Sequence, residues 1–69
     1  MLYQFANMTY PLQEGEVLPM FYLGGTLGLN AKRYIKVETI DKTKQQFVGF
    51  DVARKCYRRF YFDRTIIAM

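Results

Sequence analysis

Sixty-nine residues, 51% of them hydrophobic and including six Phe and six Tyr, describe one small folded domain and leave no room for a second. One cysteine and no histidine exclude an internal disulfide, a zinc site of the usual Cys/His kind and imidazole acid–base catalysis. The net charge of +4 is split unevenly: residues 1–30 carry Glu14 and Glu16 alone (−2), and residues 31–69 carry all ten Lys and Arg against Glu38, Asp41, Asp51 and Asp63 (+6), which points the second half toward an anionic partner.

At the amino end, Leu2, Phe5, Ala6 and Thr9 have helical spacing, yet Leu2–Ala6 suits a strand equally, and Pro11 ends either. Residues 1–20 are therefore expected as a short helical or extended lead-in to a core over 21–69. No basic, then apolar, leader is present, and no run nears the ~20 apolar residues of a membrane-spanning helix, so a cytoplasmic location without membrane contact is expected. On that ground Asn7-Met8-Thr9 is a chance glycosylation triplet. Val17 to Leu23 reads as a strand, with Pro19 near its start suiting a sheet edge. Gly24-Gly25-Thr26-Leu27-Gly28 reads as a turn, because it lacks the Gly-Lys-Ser/Thr ending of a phosphate-binding loop.

The second half alternates more clearly. Residues 33–40 form a half-buried strand with Ile35, Val37 and Thr39 on one face, followed by a polar hairpin turn at Asp41–Lys44. In Gln46–Val52, Val48, Phe50 and Val52 share a face, and Gly49 marks a bulge or sharp bend. Ala53-Arg54-Lys55 is a second turn, 56–62 a third strand with Phe60 and Phe62 as its apolar side, and Thr65–Ala68 a short closing strand. The sum is a mostly β chain, a meander of about five antiparallel strands closing into a small barrel.

No catalytic constellation emerges. Cys56 has no histidine to activate it and reads as a plain strand residue, and Glu14 and Glu16 fall in a loop. The segment Tyr57-Arg58-Arg59-Phe60-Tyr61-Phe62-Asp63-Arg64 is more informative. On a strand, Tyr57, Arg59 and Tyr61 project away from Phe60 and Phe62, and rings beside guanidiniums on an exposed sheet suit single-stranded nucleic acid. Tyr34 and Lys36 widen that face from a neighbouring strand. The same pattern also serves ordinary cross-strand pairing.

The stretch from Arg33 to Arg64 resembles the WYL domain, an Sm-like small β-barrel found mainly in bacterial transcription regulators. Arg33 opens a strand, Gln45-Gln46-Phe47 falls where that family has Trp-Tyr-Leu, and Tyr57-Arg58-Arg59-Phe60-Tyr61-Phe62-Asp63-Arg64 follows the terminal Tyr-Arg-x-Phe-x-Leu-Asp-Arg signature. Tyr22 matches a tyrosine frequent in the preceding strand. The resemblance implies an Sm-like or Src-homology-3-like barrel that binds nucleic acid or a nucleotide-like ligand through basic residues at one end. It implicates Arg33, Arg58 and Arg64, with Arg58 and Arg64 at the barrel rim.

The expectation is thus a non-catalytic, regulatory binding module without cofactor or metal, its site residues Arg33, Lys36, Tyr57, Arg58, Arg59, Tyr61 and Arg64. The alternative is a small protein-binding accessory module, docking on an acidic partner or assembling with itself through strand edges.

Overall fold

Seven strands and one 3₁₀ turn account for the regular structure of this computed structural model, which describes residues 1–24 and 31–69. The strands are β1 (Tyr3–Gln4), β2 (Thr9–Tyr10), β3 (Val17–Tyr22), β4 (Arg33–Asp41), β5 (Gln46–Asp51), β6 (Cys56–Tyr61) and β7 (Thr65–Ile67), and the 3₁₀ turn is Phe62–Arg64. β1 and β2 pair as a minimal hairpin; the other five form one antiparallel sheet in the order β6-β5-β4-β3-β7. The sheet curls into a half-barrel, so the small antiparallel barrel expected from the alternation is what the chain forms.

Both tight hairpins are built alike. Asp41 Oδ1 accepts from the N–H groups of Thr43 (3.1 Å) and Lys44 (3.0 Å), and Gln45 turns through φ +53° into β5. Asp51 Oδ1 accepts from Arg54 N–H (3.2 Å), its carbonyl accepts from Lys55 N–H (2.7 Å), and Lys55 turns through φ +56° into β6. An aspartate at the first position caps each turn, as its short side chain allows.

The core is Phe5, Leu12, Leu18, Met20, Ile35, Val37, Phe47, Phe60, Phe62 and Ile67. Phe47 packs between Phe60 and Phe62, with ring centroids 5.3 and 6.2 Å away, and Phe5 closes on Phe62 at 5.0 Å. The lead-in is extended: Phe5 N–H bonds the Met8 carbonyl (2.8 Å) to close the β1–β2 turn, and Phe5 plugs the barrel while Leu2 stays exposed. Glu14 and Glu16 serve as acceptors for this segment. Glu14 takes Ile40 N–H (3.2 Å), and Glu16 takes Tyr10 Oη–H (2.6 Å), a bond that pushes the Tyr10 pKa up to about 12.

Three expectations need correction. β3 is internal, paired with β4 on one side and β7 on the other, and Pro19 sits beyond the last β3–β7 pair, Met20–Ile67. Its missing N–H therefore breaks no ladder bond, and its carbonyl accepts from Ala68 N–H (2.9 Å). The bulge lies on β4, where Glu38 is the extra residue between the Val37–Gly49 and Thr39–Val48 pairs. That insertion turns Thr39 outward with Val48 and brings Ile40 opposite Phe47. On β5 the inward residues are accordingly Phe47, Gly49 and Asp51; Val48 and Phe50 lie half-buried on the outer face, and Val52 is in the turn. The glycine-rich turn expected over 24–28 lies outside the described residues beyond Gly24.

Gly49 faces inward where β4 crosses it. A Cβ there would lie 2.3 Å from Ile35 Cγ2 and 2.9 Å from the Lys36 carbonyl oxygen. Gly49→Ala should therefore destabilise the fold by about 1–3 kcal/mol, read as a lower urea midpoint with an unchanged slope.

Candidate functional site

The β5–β6 register decides which side chains face outward. Phe47 opposes Phe60, and Gly49 opposes Arg58, so Tyr57, Arg59 and Tyr61 share the outer face with their partners Phe50, Val48 and Gln46. Lys36 lies opposite Phe50 on the next strand. The result is a continuous outer surface across β4, β5 and β6, bearing Lys36, Phe50, Tyr57, Val48, Arg59 and Tyr61. Tyr57 is 64% exposed and Tyr61 48%. The Tyr57 ring leans edge-on against Phe50 with centroids 5.0 Å apart, which holds it upright, and its hydroxyl lies 3.5 Å from Glu38 Oε1.

Arg64 joins this surface from the 3₁₀ turn. Its guanidinium carbon lies 5.9 Å from the Tyr61 ring centroid. Just before β4, Lys32 Nζ stands 5.5 Å from the ring of Tyr34 on that strand, a second cation–aromatic pair. Of the residues expected at the site, Lys36, Tyr57, Arg59, Tyr61 and Arg64 are thus brought together. Arg58 is exposed but points to the other side of β6.

Arg33 is a correction. It is only 4% exposed, its Nη1 lies 3.4 Å from Asp51 Oδ2, and its guanidinium sits over the Phe60 ring at 5.7 Å. Its Nε is buried with no hydrogen-bond partner. A charge so enclosed is committed to Asp51 and is not offered to a ligand. Asp51 itself is fully buried and is also bound by Arg54 Nη1 at 3.1 Å. Burial works to raise its pKa, but the Arg54 N–H and guanidinium, with the Arg33 charge, outweigh burial and hold the carboxyl below the usual aspartate value.

The main chain of β6 adds a second feature. Phe62 N–H bonds the Gln45 carbonyl (2.9 Å), so alternation turns the backbone groups of Cys56, Arg58 and Phe60 toward β5 and those of Tyr57, Arg59 and Tyr61 away from it. Tyr61 is satisfied across the seam: its N–H donates to Tyr22 Oη (3.1 Å), and its carbonyl accepts from Thr65 Oγ1 (2.8 Å). Among the described residues nothing pairs with the backbone groups of Tyr57 and Arg59, which form a sheet edge. The opposite edge, β7, is covered by the lead-in. Ala6 N–H bonds the Thr65 carbonyl (3.0 Å), and the Asn7 amide takes both the N–H and carbonyl of Ile67 at 2.9 Å. Asn7 is thus a structural residue.

Among the described residues no helix is long and apolar enough to cross a membrane, and no group of three or more His, Cys, Asp or Glu could hold a metal ion. Comparison of the chain with protein-family models, curated proteins and solved structures finds no match.

The buried cluster has a pH signature. Because the folded pKa of Asp51 is depressed, its contribution is complete above the ordinary aspartate value of about 3.9 and is lost as pH falls through the lower folded value. Urea midpoints measured on the acid side should fall more steeply for the wild type than for Asp51→Asn. Asp51→Ala, which leaves Arg33 buried and unpaired, should cost about 3–5 kcal/mol at neutral pH.

Proposed function

We propose that the protein is a non-catalytic module that binds single-stranded nucleic acid, or a nucleotide-like anion, through the outer face of β4, β5 and β6. The observation that carries this reading is the placement of Tyr57 and Tyr61 either side of Arg59, with Arg64 against Tyr61 and Lys36 across the sheet. Exposed rings give bases a surface to stack on without regard to sequence, and the three cations supply partners for the phosphates between them. Tyr57 is propped by Phe50 and not buried by it, so its stacking surface needs little further ordering.

The resemblance to the WYL domain supports the same ligand class but places its weight on Arg33, Arg58 and Arg64. In this chain Arg64 fits both schemes, while Arg33 is spent on Asp51. Arg58 and Arg59 separate the two schemes, because they leave β6 on opposite sides.

A second reading draws on the open β6 edge, onto which an extended segment of a partner could add as a further strand. Arg58 and Arg59 at its centre favour an acidic segment. Antiparallel pairing of two copies of this chain about that centre would set arginines opposite one another, which is unfavourable. Binding of an acidic peptide in preference to an oligonucleotide would favour this reading.

Fluorescence anisotropy with a labelled mixed-sequence single-stranded oligonucleotide tests the proposal. Binding should weaken with salt, and three phosphate contacts give a log–log slope of about −2. Tyr57→Ala and Arg59→Ala should each weaken it roughly tenfold, whereas Arg58→Ala should not. Absence of binding at low salt overturns the proposal, and sensitivity confined to Arg58→Ala moves the site to the rim.

A further inference from the structure

At one end of the outer face, Thr39, Asp41, Lys44, Gln46, Val48 and Arg59 line a hollow of about 220 Å³. It is smaller than the pockets that enclose drug-sized molecules, which begin at about 300 Å³, so it suits one planar group and not a whole nucleotide. Gln46 is the decisive residue. It is 8% exposed, at the floor of the hollow between its register partners Asp41 and Tyr61, and its side-chain amide makes no hydrogen bond among the described residues. An amide carries two donor hydrogens and an acceptor oxygen, and although the Gln46 side chain is largely enclosed, neither polar atom is among the described atoms sealed from solvent without a partner. Such a group, lining a hollow and bound to no other described residue, offers a ligand both donors and an acceptor.

The walls narrow the choice. Lys44 and Arg59 are donors only, and Asp41 is an acceptor whose Oδ1 already serves the N–H groups of Thr43 and Lys44. Its Oδ2 takes no hydrogen bond among the described residues. A phosphate offers acceptors alone, so it would engage Lys44 and Arg59 but leave the Asp41 carboxylate opposed and unused. A base edge presents both kinds of group. Guanine matches this set best, because its O6 and N7 accept from a cationic or amide donor. Its adjacent N1–H and N2–H₂ groups give a carboxylate two donors side by side, which no other base does. Val48 supplies an apolar contact for the ring, and the half-exposed Tyr61 flanks the floor from β6.

We infer that this hollow is a guanine subsite, which reads one base of a strand held on the outer face by Tyr57, Tyr61 and the cations. The inference rests on the single-strand reading of that face, and it adds base selectivity to a surface otherwise indifferent to sequence. The same cation set is divided between two tasks: Lys36 and Arg64 meet phosphates, and Arg59, on the border, reaches either.

Four short fluorescein-labelled oligo-thymidines, each with one central residue replaced by guanine, adenine, cytosine or hypoxanthine, test it by anisotropy at fixed low salt. The guanine strand should bind roughly tenfold tighter than the adenine strand, with hypoxanthine, which lacks the 2-amino group, between them. Gln46→Ala and Asp41→Asn should each bring the guanine strand down to the adenine value, with thermal melting used to verify that the variants fold. The wild-type ranking needs no variant, so the test stands even if a substitution unfolds the chain. Equal, salt-sensitive affinity for all four strands overturns the subsite and leaves the face intact. Preference for another base overturns the guanine assignment, and no binding to any strand overturns both.

Discussion

The Asp51 carboxylate is the point on which the sheet is hung. It is fully buried, an expensive position for a charge, and it is stabilised by Arg54 from its own turn and Arg33 from the start of β4. One side chain thereby joins three strands: it ends β5, caps the turn into β6 and holds the first residue of β4 against the core. The outer face proposed for binding depends on that arrangement. Side chains on a strand alternate, so a slip of one residue between β5 and β6 would drive Tyr57, Arg59 and Tyr61 into the barrel and expose Phe60. The inward aspartate resists such a slip, because outside its pocket it would leave Arg33 enclosed without a counter-charge. The cluster thus contributes register specificity as much as stability.

Much of this was legible in the sequence. Ile35 and Val37 alternate with Tyr34 and Lys36 strictly enough to define β4, and Tyr57, Arg59 and Tyr61 follow from Phe60 by parity alone. The turns announce themselves through Asp41 and Asp51. Alternation failed where two residues compete for one face. Phe47, Val48 and Phe50 are all apolar, so β5 reads equally well in either orientation, and only the pairing of Gly49 with Val37 decides it. Thr39 reads as inward by alternation, because Glu38, where β4 breaks that alternation, carries no local sign of a bulge. Pro19 suggested an edge because proline lacks a donor, a rule that holds for each side of a strand separately.

The surroundings of Arg33 and Gln46 are hidden from the sequence for a common reason, namely that a polar side chain is not always an exposed one. Arg33 reads as a surface cation, yet its long side chain reaches a buried carboxylate and an aromatic ring. Gln46 reads as an ordinary polar strand residue, yet with β4 and β6 on either side it is only 8% exposed. Neither condition is local. Each needs a partner brought from a distant strand, which periodicity cannot supply.

The two sheet edges are treated in opposite ways, and this bears on what the outer face can do. The lead-in spends a main-chain N–H and a full side-chain amide on β7, with Asn7 imitating the pair of bonds that a neighbouring strand would make. At β6, Tyr22 and Thr65 satisfy Tyr61, and no described residue pairs with the backbone groups of Tyr57 and Arg59. The edge carries two adjacent arginines on opposite faces, and charge at an edge is a common defence against unwanted pairing between identical chains. Those arginines leave the side-chain face free, since backbone pairing lies in the plane of the sheet and stacking lies perpendicular to it. A ligand on the face and a strand at the edge would therefore both meet Tyr57 and Arg59, through different atoms. Of the two, only the ligand on the face uses Lys36, Arg64 and the Gln46 hollow, so the larger share of the site's polar chemistry lies with the face.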